Sequence, residues 1–240
     1  MLKLVLLGYG KMGRAVEQEA LARGHVIVSK INRSNAHELL TLTPETADMV
    51  IEFTHPDQFE ANLSTVLGLG LPMVTGTTGW YDRLAAVQAQ VNAAGGALMY
   101  SSNFSVGVNL LFKLNQQLAA YMNQHPGYDP YIEEQHHRYK ADAPSGTAVS
   151  LAQQVLAALE RKTRIAKNLS HRAPEPDELS IGSVRAGGIT GVHRVSWVSD
   201  IDEITLEHRA FSRRGFALGA VIAAEKLWGR KGCHLFSDLL

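Results

Sequence analysis

Along the first hundred residues, short apolar runs alternate with stretches in which apolar residues recur every three or four positions. Leu2–Leu7, Val26–Ile31, Asp48–Thr54, Pro72–Val74 and Ala97–Tyr100 read as strands. Lys11–Arg23, Pro56–Leu67 and Tyr81–Ala93 read as helices between them. The strand runs are mostly apolar, as expected when both faces of a sheet are covered. Strand–helix alternation predicts βαβ units, a parallel sheet and right-handed crossovers.

The texture changes after Asn103. Val106–Met122 is a long amphipathic helix, then come a turn at His125-Pro126-Gly127, a strand at Tyr131–Gln135 and a helix at Ser145–Leu159. The polar, proline-containing stretch Lys162–Pro176 reads as a mobile loop. Leu179–Val184, Gly191–Val198 and Glu203–His208 are strands with little helix between them, which predicts an antiparallel or mixed sheet. A last helix, Phe216–Trp228, is expected to pack back on the first domain. The expected class is α/β: an N-terminal Rossmann dinucleotide-binding domain (1–103 plus 212–240) and a C-terminal α+β substrate and oligomerisation domain (104–211).

Bulk composition narrows the function classes. Apolar residues make up 45% and charged residues 19% of the 240, an ordinary globular balance. With 23 basic and 23 acidic residues the net charge is zero, so no basic excess points to a nucleic-acid partner. No apolar run is long enough to span a bilayer, and the opening MLKLVLLGYG reads as a buried first strand rather than a signal peptide. The single cysteine, Cys233, cannot form an internal disulfide. A cytoplasmic location is expected.

Gly8-Tyr9-Gly10-Lys11-Met12-Gly13 matches G-x-G-x-x-G between a strand and a helix. There the first glycine permits a tight turn, the second lets backbone approach a pyrophosphate, and the third brings helix and strand together. Free amides and the positive helix end would hold the phosphates. The next strand ends in Lys30-Ile31-Asn32-Arg33 with no carboxylate to repel a 2′-phosphate. Arg33 or Lys30 could pair with one. Lys30 reads better as a solvated loop residue, and Arg33 is open to either role. The expected cofactor is NADPH or NADH, with a lean towards NADPH. Gly76-Thr77-Thr78-Gly79 and Ser101-Ser102-Asn103-Phe104 follow later strands, where ligands of doubly wound sheets sit. Each could instead be a plain turn.

The densest cluster of titratable groups is Glu133-Glu134-Gln135-His136-His137-Arg138-Tyr139-Lys140. On a strand, Glu134 and His136 share one face while Glu133, Gln135 and His137 share the other. Ala141-Asp142-Ala143-Pro144-Ser145-Gly146-Thr147 then opens a helix whose hydroxyls and amides make an anion site, with Lys140 adding positive charge. That suits a carboxylated substrate. His136 and Lys140 are candidate proton donors. The bland alternatives are a surface or core histidine and a simple helix cap. A metal is not expected, because adjacent histidines on a strand point apart and no further ligand spacing completes a site. Tyr139 is directly adjacent to Lys140 rather than one helical turn away, which argues against a short-chain-dehydrogenase acid.

At this point the string EEQHHRYKADAPSGTA resembles the signature of the dihydrodipicolinate reductase family. The likeness extends over GYGKMGR, EFTHPDQ, VTGTTGW, SSNFSVGVN, VRAGGITGVHRV and EITLEHRAFSRRGFALGA. It implies NAD(P)H-dependent reduction of 4-hydroxy-tetrahydrodipicolinate in lysine and diaminopimelate biosynthesis. His136 would be the principal proton donor or acceptor and Lys140 a second donor. His137, Ser145, Gly146 and Thr147 would contact the substrate carboxylates, and Gly8–Gly13, Gly76–Thr78 and Ser101–Phe104 would line the cofactor. The resemblance also implies a homotetramer through the second domain's sheet and a hinge that closes on substrate. Two departures stand out: Asn32 occupies a position where an acidic residue is common, and Tyr139 precedes Lys140 where histidine is usual. Other two-domain dehydrogenases lack the HHxxKxDAPSGTA string, and a non-catalytic cofactor-binding regulator would be marked by loss of His136 or Lys140.

Overall fold

The computed structural model describes residues 1–166 and 171–240 and divides into two units, Met1–Val106 with Arg213–Leu240, and Gly107–Ser212. The chain runs β1 (Lys3–Leu7), α1 (Lys11–Ala22), β2 (Val26–Ile31), β3 (Met49–Glu52), α2 (Pro56–Gly68), β4 (Met73–Thr75), α3 (Leu84–Ala93) and β5 (Ala97–Tyr100). It continues through α4 (Val106–Met122), β6 (Asp129–His136), α5 (Gly146–Ala158), β7 (Arg164–Ile165), β8 (Glu178–Arg185), β9 (Gly191–Val198) and β10 (Glu203–Ala210). It ends with α6 (Arg214–Leu227) and β11 (Gly232–Leu235).

The first unit is built on a six-stranded parallel sheet in the order β11-β5-β4-β3-β1-β2. From β1 the chain steps outward to β2, then crosses to the opposite side for β3. The strand order therefore reverses between β1 and β3, where an open α/β sheet leaves a crevice at its carboxyl ends. One face buries Leu4, Leu6, Met49, Ile51 and Met99 with Val16 and Ala20 of α1 and a run of small residues of α6. The other buries Val5, Leu7, Val50 and Met73 with Phe59 and Leu63 of α2 and Trp80, which stacks on Phe59 at 4.1 Å. Continuous apolar strands follow from this two-sided burial.

Several features differ from expectation. Gly232–Leu235 adds an edge strand beside β5, and Arg33–Thr41 forms a 3-10 turn capped by the Asn32 side chain. The stretch expected as one helix from Tyr81 begins as a separate 3-10 turn, Tyr81–Arg83. The expected mobile loop is anchored at its start: Lys162 is buried and pairs with Asp129 at 2.6 Å, and Arg164–Ile165 pair with β8. Residues 167–170 of that loop lie outside the described residues.

The second unit carries a mixed sheet in the order β10-β9-β6-β8-β7. β9 is antiparallel to both neighbours, whereas β6, β8 and β7 run parallel. The register puts Pro130, Ile132, Glu134 and His136 on one face of β6, opposite Trp197, Val195 and His193 of β9. Ile132, Leu179, Val195 and Trp197 pack there with Leu111 and Ala119 of α4 and with Leu151, Ala152 and Val155 of α5. At the other end of the same face, apolar packing gives way to Glu134, His136 and His193.

Candidate active site

In the first unit, Leu7 leads from β1 into the glycine turn. Gly8 has φ +95, a left-handed conformation that glycine adopts readily, and a Cβ there would lie 2.1 Å from the Phe53 carbonyl. The Gly8 and Tyr9 amides both donate to the Ile31 carbonyl, which ties the turn to the end of β2. The amides facing outward are therefore those opening α1, at Lys11, Met12 and Gly13, because the helix's own ladder starts with Arg14 donating to Gly10. Gly10 has nothing within 4 Å of where its Cβ would project. Backbone is thus bare where an anion would approach a positive helix end.

This turn borders two adjoining hollows. The larger, about 830 Å³, is lined by Gly8, Tyr9, Gly10, Asn32, Arg33, Ala36, Phe53, Thr54, His55 and Asn62, among others. The smaller, about 320 Å³, adds Lys11, Met12, Pro56, Gly76, Thr77 and Thr78. These residues fit a dinucleotide: a bare glycine cradle, amides of an open helix end, and a groove at the strand-order reversal. Gly13 sits behind the turn, where a Cβ would meet the Gly8 carbonyl at 2.7 Å. Ser101–Phe104 do not contribute to either lining. Ser101 and Asn103 are hydrogen-bonded into a turn, Phe104 is buried against Phe53 and Phe236, and Ser102 is exposed.

The two basic candidates near the end of β2 separate clearly. Lys30 pairs with Glu17 at 2.5 Å and lies over the Tyr9 ring, whose hydroxyl also donates to Glu17. The hydrogen bond from Lys30 holds the Glu17 carboxyl below its ordinary range. Arg33 lines the groove with no such commitment. Asn32 uses its side-chain oxygen to accept from the Ser34 amide and hydroxyl.

Sequence reasoning passed over Glu52. Its fully buried carboxylate accepts from the Thr54 amide and hydroxyl and from the Thr75 and Thr77 hydroxyls, joining the loops after β3 and β4. A carboxylate ending an apolar strand was the available signal.

In the second unit, β6 brings Glu134 and His136 to one face, two residues apart. Nδ1 of His136 is hydrogen-bonded to Glu134, which is fully buried. The other Glu134 oxygen accepts from Arg185 of β8 at 2.6 Å. Burial opposes the Glu134 charge, but hydrogen bonds from Arg185, Ser183 and His136 overcome it and hold its pKa below the ordinary value. Burial pushes the His136 pKa down, and the Glu134 carboxylate offsets part of that.

His193 of β9 stands edge-on to His136, with ring centroids 5.1 Å apart. Its pKa falls to about 4, chiefly through burial and then through the His136 charge. Nε2 of His193 lies 3.0 Å from the Ser145 hydroxyl, which accepts from the Ala148 amide and caps α5. Ser145, expected as the first residue of the helix, is instead its cap, and Pro144 precedes it. The Gly146 and Thr147 amides lie in the first turn, ahead of the helix ladder. Lys140 pairs with Asp142 at 2.8 Å, and that bond holds the Asp142 carboxyl below its ordinary range. His137 leaves the strand with its Nδ1 buried and unpartnered, while Tyr139 is exposed. The structure thus gathers His136, Ser145, Gly146 and Thr147 around His193, with Lys140 on the adjoining loop.

Comparison with known proteins bears on both units. The family profile described as "Dihydrodipicolinate reductase, N-terminus" matches residues 2–104, and "Dihydrodipicolinate reductase, C-terminus" matches residues 107–240. The chain belongs to the dihydrodipicolinate reductase family. A relative of this reductase in Christiangramia forsetii, named 4-hydroxy-tetrahydrodipicolinate reductase, is 39% identical over 100% of this chain and 98% of its own. One of the same name in Methanococcoides burtonii is 36% identical over 88% of this chain and 80% of its own. The solved structure titled "Dipicolinate bound Dihydrodipicolinate reductase from Paenisporosarcina sp. TG-14" matches the whole of both chains with a TM-score of 0.81 at 22% identity. An amine dehydrogenase from Mycobacterium smegmatis shares the fold more loosely, at TM-score 0.60 and 12% identity over 100% of this chain and 96% of its own. The reductase is an oxidoreductase whose Rossmann unit serves NADH or NADPH. The C-terminal profile runs on through α6 and β11, which the fold assigns to the first unit. Among the described residues no helix is long and apolar enough to cross a membrane.

Proposed function

We propose that this chain reduces 4-hydroxy-tetrahydrodipicolinate to tetrahydrodipicolinate with NADPH or NADH in lysine and diaminopimelate biosynthesis. The first unit (with boundaries expected at 1–103 plus 212–240) is the cofactor domain, and residues 104–211 bind substrate and form subunit contacts. The observation that carries the reading is the run His136–His193–Ser145, which sets a buried imidazole beside the open first turn of a helix. That pairs a proton-handling group with an anion seat, as an electron-poor dicarboxylate requires.

The nicotinamide supplies the hydride. Gly8, Tyr9, Gly10, Lys11, Met12 and Gly13 would hold the pyrophosphate; Asn32 and Arg33 would bind the adenosine ribose and, in NADPH, its phosphate; Gly76, Thr77 and Thr78 would complete the cofactor surroundings, with Ser101–Phe104 outside the lining of the two hollows, on the loop after β5. The Gly146 and Thr147 amides, with Ser145 and His137, hold the substrate carboxylates, and positioning supplies much of the rate. The 4-hydroxyl leaves as water to give the conjugated cyclic imine that accepts the hydride; His136 exchanges the proton that balances hydride addition, and Lys140, released from Asp142 by an incoming carboxylate, serves as second donor. The cationic surroundings stabilise negative charge that develops on the ring.

A cytoplasmic homotetramer belongs to the same proposal. It is supported by the β6–β9–β10 face opposite the one that carries Ile132 and Val195, which presents Tyr131, Glu133, Arg194, Thr205 and Glu207 in register across three strands. Sedimentation equilibrium checks the assembly.

The activity test mixes the purified chain with NADPH or NADH and the freshly condensed product of pyruvate and aspartate semialdehyde. Nicotinamide absorbance should fall with at least one cofactor, and silence with both overturns the proposal. His136→Gln and Lys140→Ala should each cut turnover by about a hundredfold, and undiminished oxidation in both removes the site assignment while keeping the enzyme.

A further inference from the structure

The side chains of Glu134 and Arg185 do more than fill space between β6 and β8. Glu134 is fully buried, and its two oxygens divide between Nδ1 of His136 and the Arg185 guanidinium. Arg185 is spread over a further set of acceptors. Its Nη2 also donates to the Asp142 carbonyl at 2.6 Å, its Nε to the Lys140 carbonyl at 3.3 Å, and its Nη1 to the Val184 carbonyl at 2.8 Å. One buried carboxylate is therefore joined to both proposed proton-handling groups, directly to the His136 ring and through Arg185 to the turn bearing Lys140. A buried ion pair adds little net stability over well-packed apolar side chains, so packing energetics alone do not call for it.

We propose that Glu134 and Arg185 are a positioning pair: Glu134 fixes His136 as the Nδ1–H tautomer, leaving Nε2 to exchange the proton, while Arg185 anchors the Lys140–Asp142 turn to the same carboxylate. A carboxylate at Nδ1 selects that tautomer because Nδ1 must donate, leaving Nε2 as the only ring nitrogen free to accept or deliver a proton. Nε2 points past Gly191, where a Cβ would sit 3.2 Å away, and the His193 ring stands edge-on to it. Every charged or titratable neighbour of the ring enters the balance: Glu134 favours the imidazolium, while Arg185, Lys140 and the neighbouring His193 oppose it, with Asp142 neutralising Lys140. The proposal rests on His136 being the proton-exchanging group, and its test separates the two claims.

The native enzyme, labelled with ¹⁵N in its histidines, reports the tautomer directly, with the His136 signals identified by their loss in His136→Gln. The expected neutral form carries its proton on Nδ1. Glu134→Gln, isosteric and uncharged, should lower the His136 titration midpoint by about one pH unit. It should also cut kcat by about tenfold with KM within about threefold, and Glu134→Asp should recover part of that loss. The fall of kcat/KM at rising pH, where imidazolium is lost, should move to lower pH by the same amount. Arg185→Lys keeps the charge but loses the fork. It should leave the His136 midpoint near native while raising KM and speeding amide exchange over residues 138–143. A native Nε2–H tautomer, or a Glu134→Gln midpoint unchanged from native, overturns the inference; the first is read on the native chain, with His136→Gln serving only to identify its signals. If His136→Gln keeps native turnover while the tautomer is as stated, the proton-exchange role falls and the placement of the ring stands.

Discussion

Gly10→Ala is expected to leave the fold intact and to weaken cofactor binding. Gly10 caps α1 with φ −99 and ψ −147, so an alanine there does not enter the left-handed region, and its methyl would meet nothing within 4 Å. Alanine stiffens the unfolded chain by about 0.4–1 kcal/mol. As a poorer N-cap than glycine, it costs about the same amount. The two nearly cancel, so Tm should stay within about 2 °C of native. The open space that makes the methyl harmless to the fold is the space a pyrophosphate must enter to reach the amides opening α1. Loss of one hydrogen bond to a charged phosphate costs about 1.5–3 kcal/mol. That corresponds to roughly a ten- to hundredfold rise in Kd. Isothermal titration with NADPH and with NADH should show this loss for both, since they share the pyrophosphate. Gly8→Ala is the contrasting control: with φ +95 and the Phe53 carbonyl 2.1 Å from the new Cβ, it should lose stability before any ligand is added. Native affinity in Gly10→Ala, with Tm preserved, would show that the glycine turn does not seat the phosphates.

Arg33→Ala should weaken NADPH binding by about tenfold and leave NADH binding unchanged, whereas Lys30→Ala should not discriminate, because Lys30 is held by Glu17. Equal effects of Arg33→Ala on both cofactors, or a selective loss of NADPH binding in Lys30→Ala, would refute this division. Burial pushes the His193 pKa down to about 4 in the folded chain, from about 6.5 for a solvated imidazole. The unfolded chain then binds more protons between those values, so the stabilisation is complete above about pH 6.5 and lost as pH falls towards 4, by about 3 kcal/mol in all. Calorimetry from pH 4 to 7 should show a shallower decline of Tm for His193→Gln than for the native chain, with the remainder from His136 and His208; matching slopes would remove His193 from the account. Gly191→Ala would put a methyl 3.2 Å from Nε2 of His136 and should cut kcat by about three- to tenfold with Tm almost unchanged. Unaltered kcat would mean that this nitrogen has no part in proton exchange.

The parallel sheet was legible because its central strands, β1, β3, β4 and β5, are buried on both faces and so appear as short, mostly apolar runs between helices. β11 was not: its four residues are all half-buried, and it pairs only with β5 at the sheet edge. Two-residue β7 is too short to show a period at all. The glycine turn and the His136–Lys140 cluster could be read because their parts are contiguous. Glu134 was visible on the His136 face, but its link to Arg185 spans 51 residues and that of Ser145 to His193 spans 48. Such partners come together only through strand register, which no local pattern in this sequence encodes.

Register is also what gives β6 two separate tasks. Glu134 pairs across to His193 in the β9 ladder, so both side chains share one face, where Glu134 meets His136 and His193 meets Ser145. Glu133 pairs with Arg194 and faces the opposite way, where Arg194 reaches Glu207 of β10 at 2.6 Å. Sliding β6 by one residue would exchange these faces, burying Gln135 and His137 and exposing His136. The apolar half of the strand prevents this: Ile132 lies opposite Val195 and Ile181, and Pro130 opposite Trp197, all on the α5 side. The hydrophobic packing at one end of β6 thus sets which nitrogen-bearing side chains reach the site at the other. Its disruption, for example by Ile132→Ala, would act on the site through alignment as well as through stability.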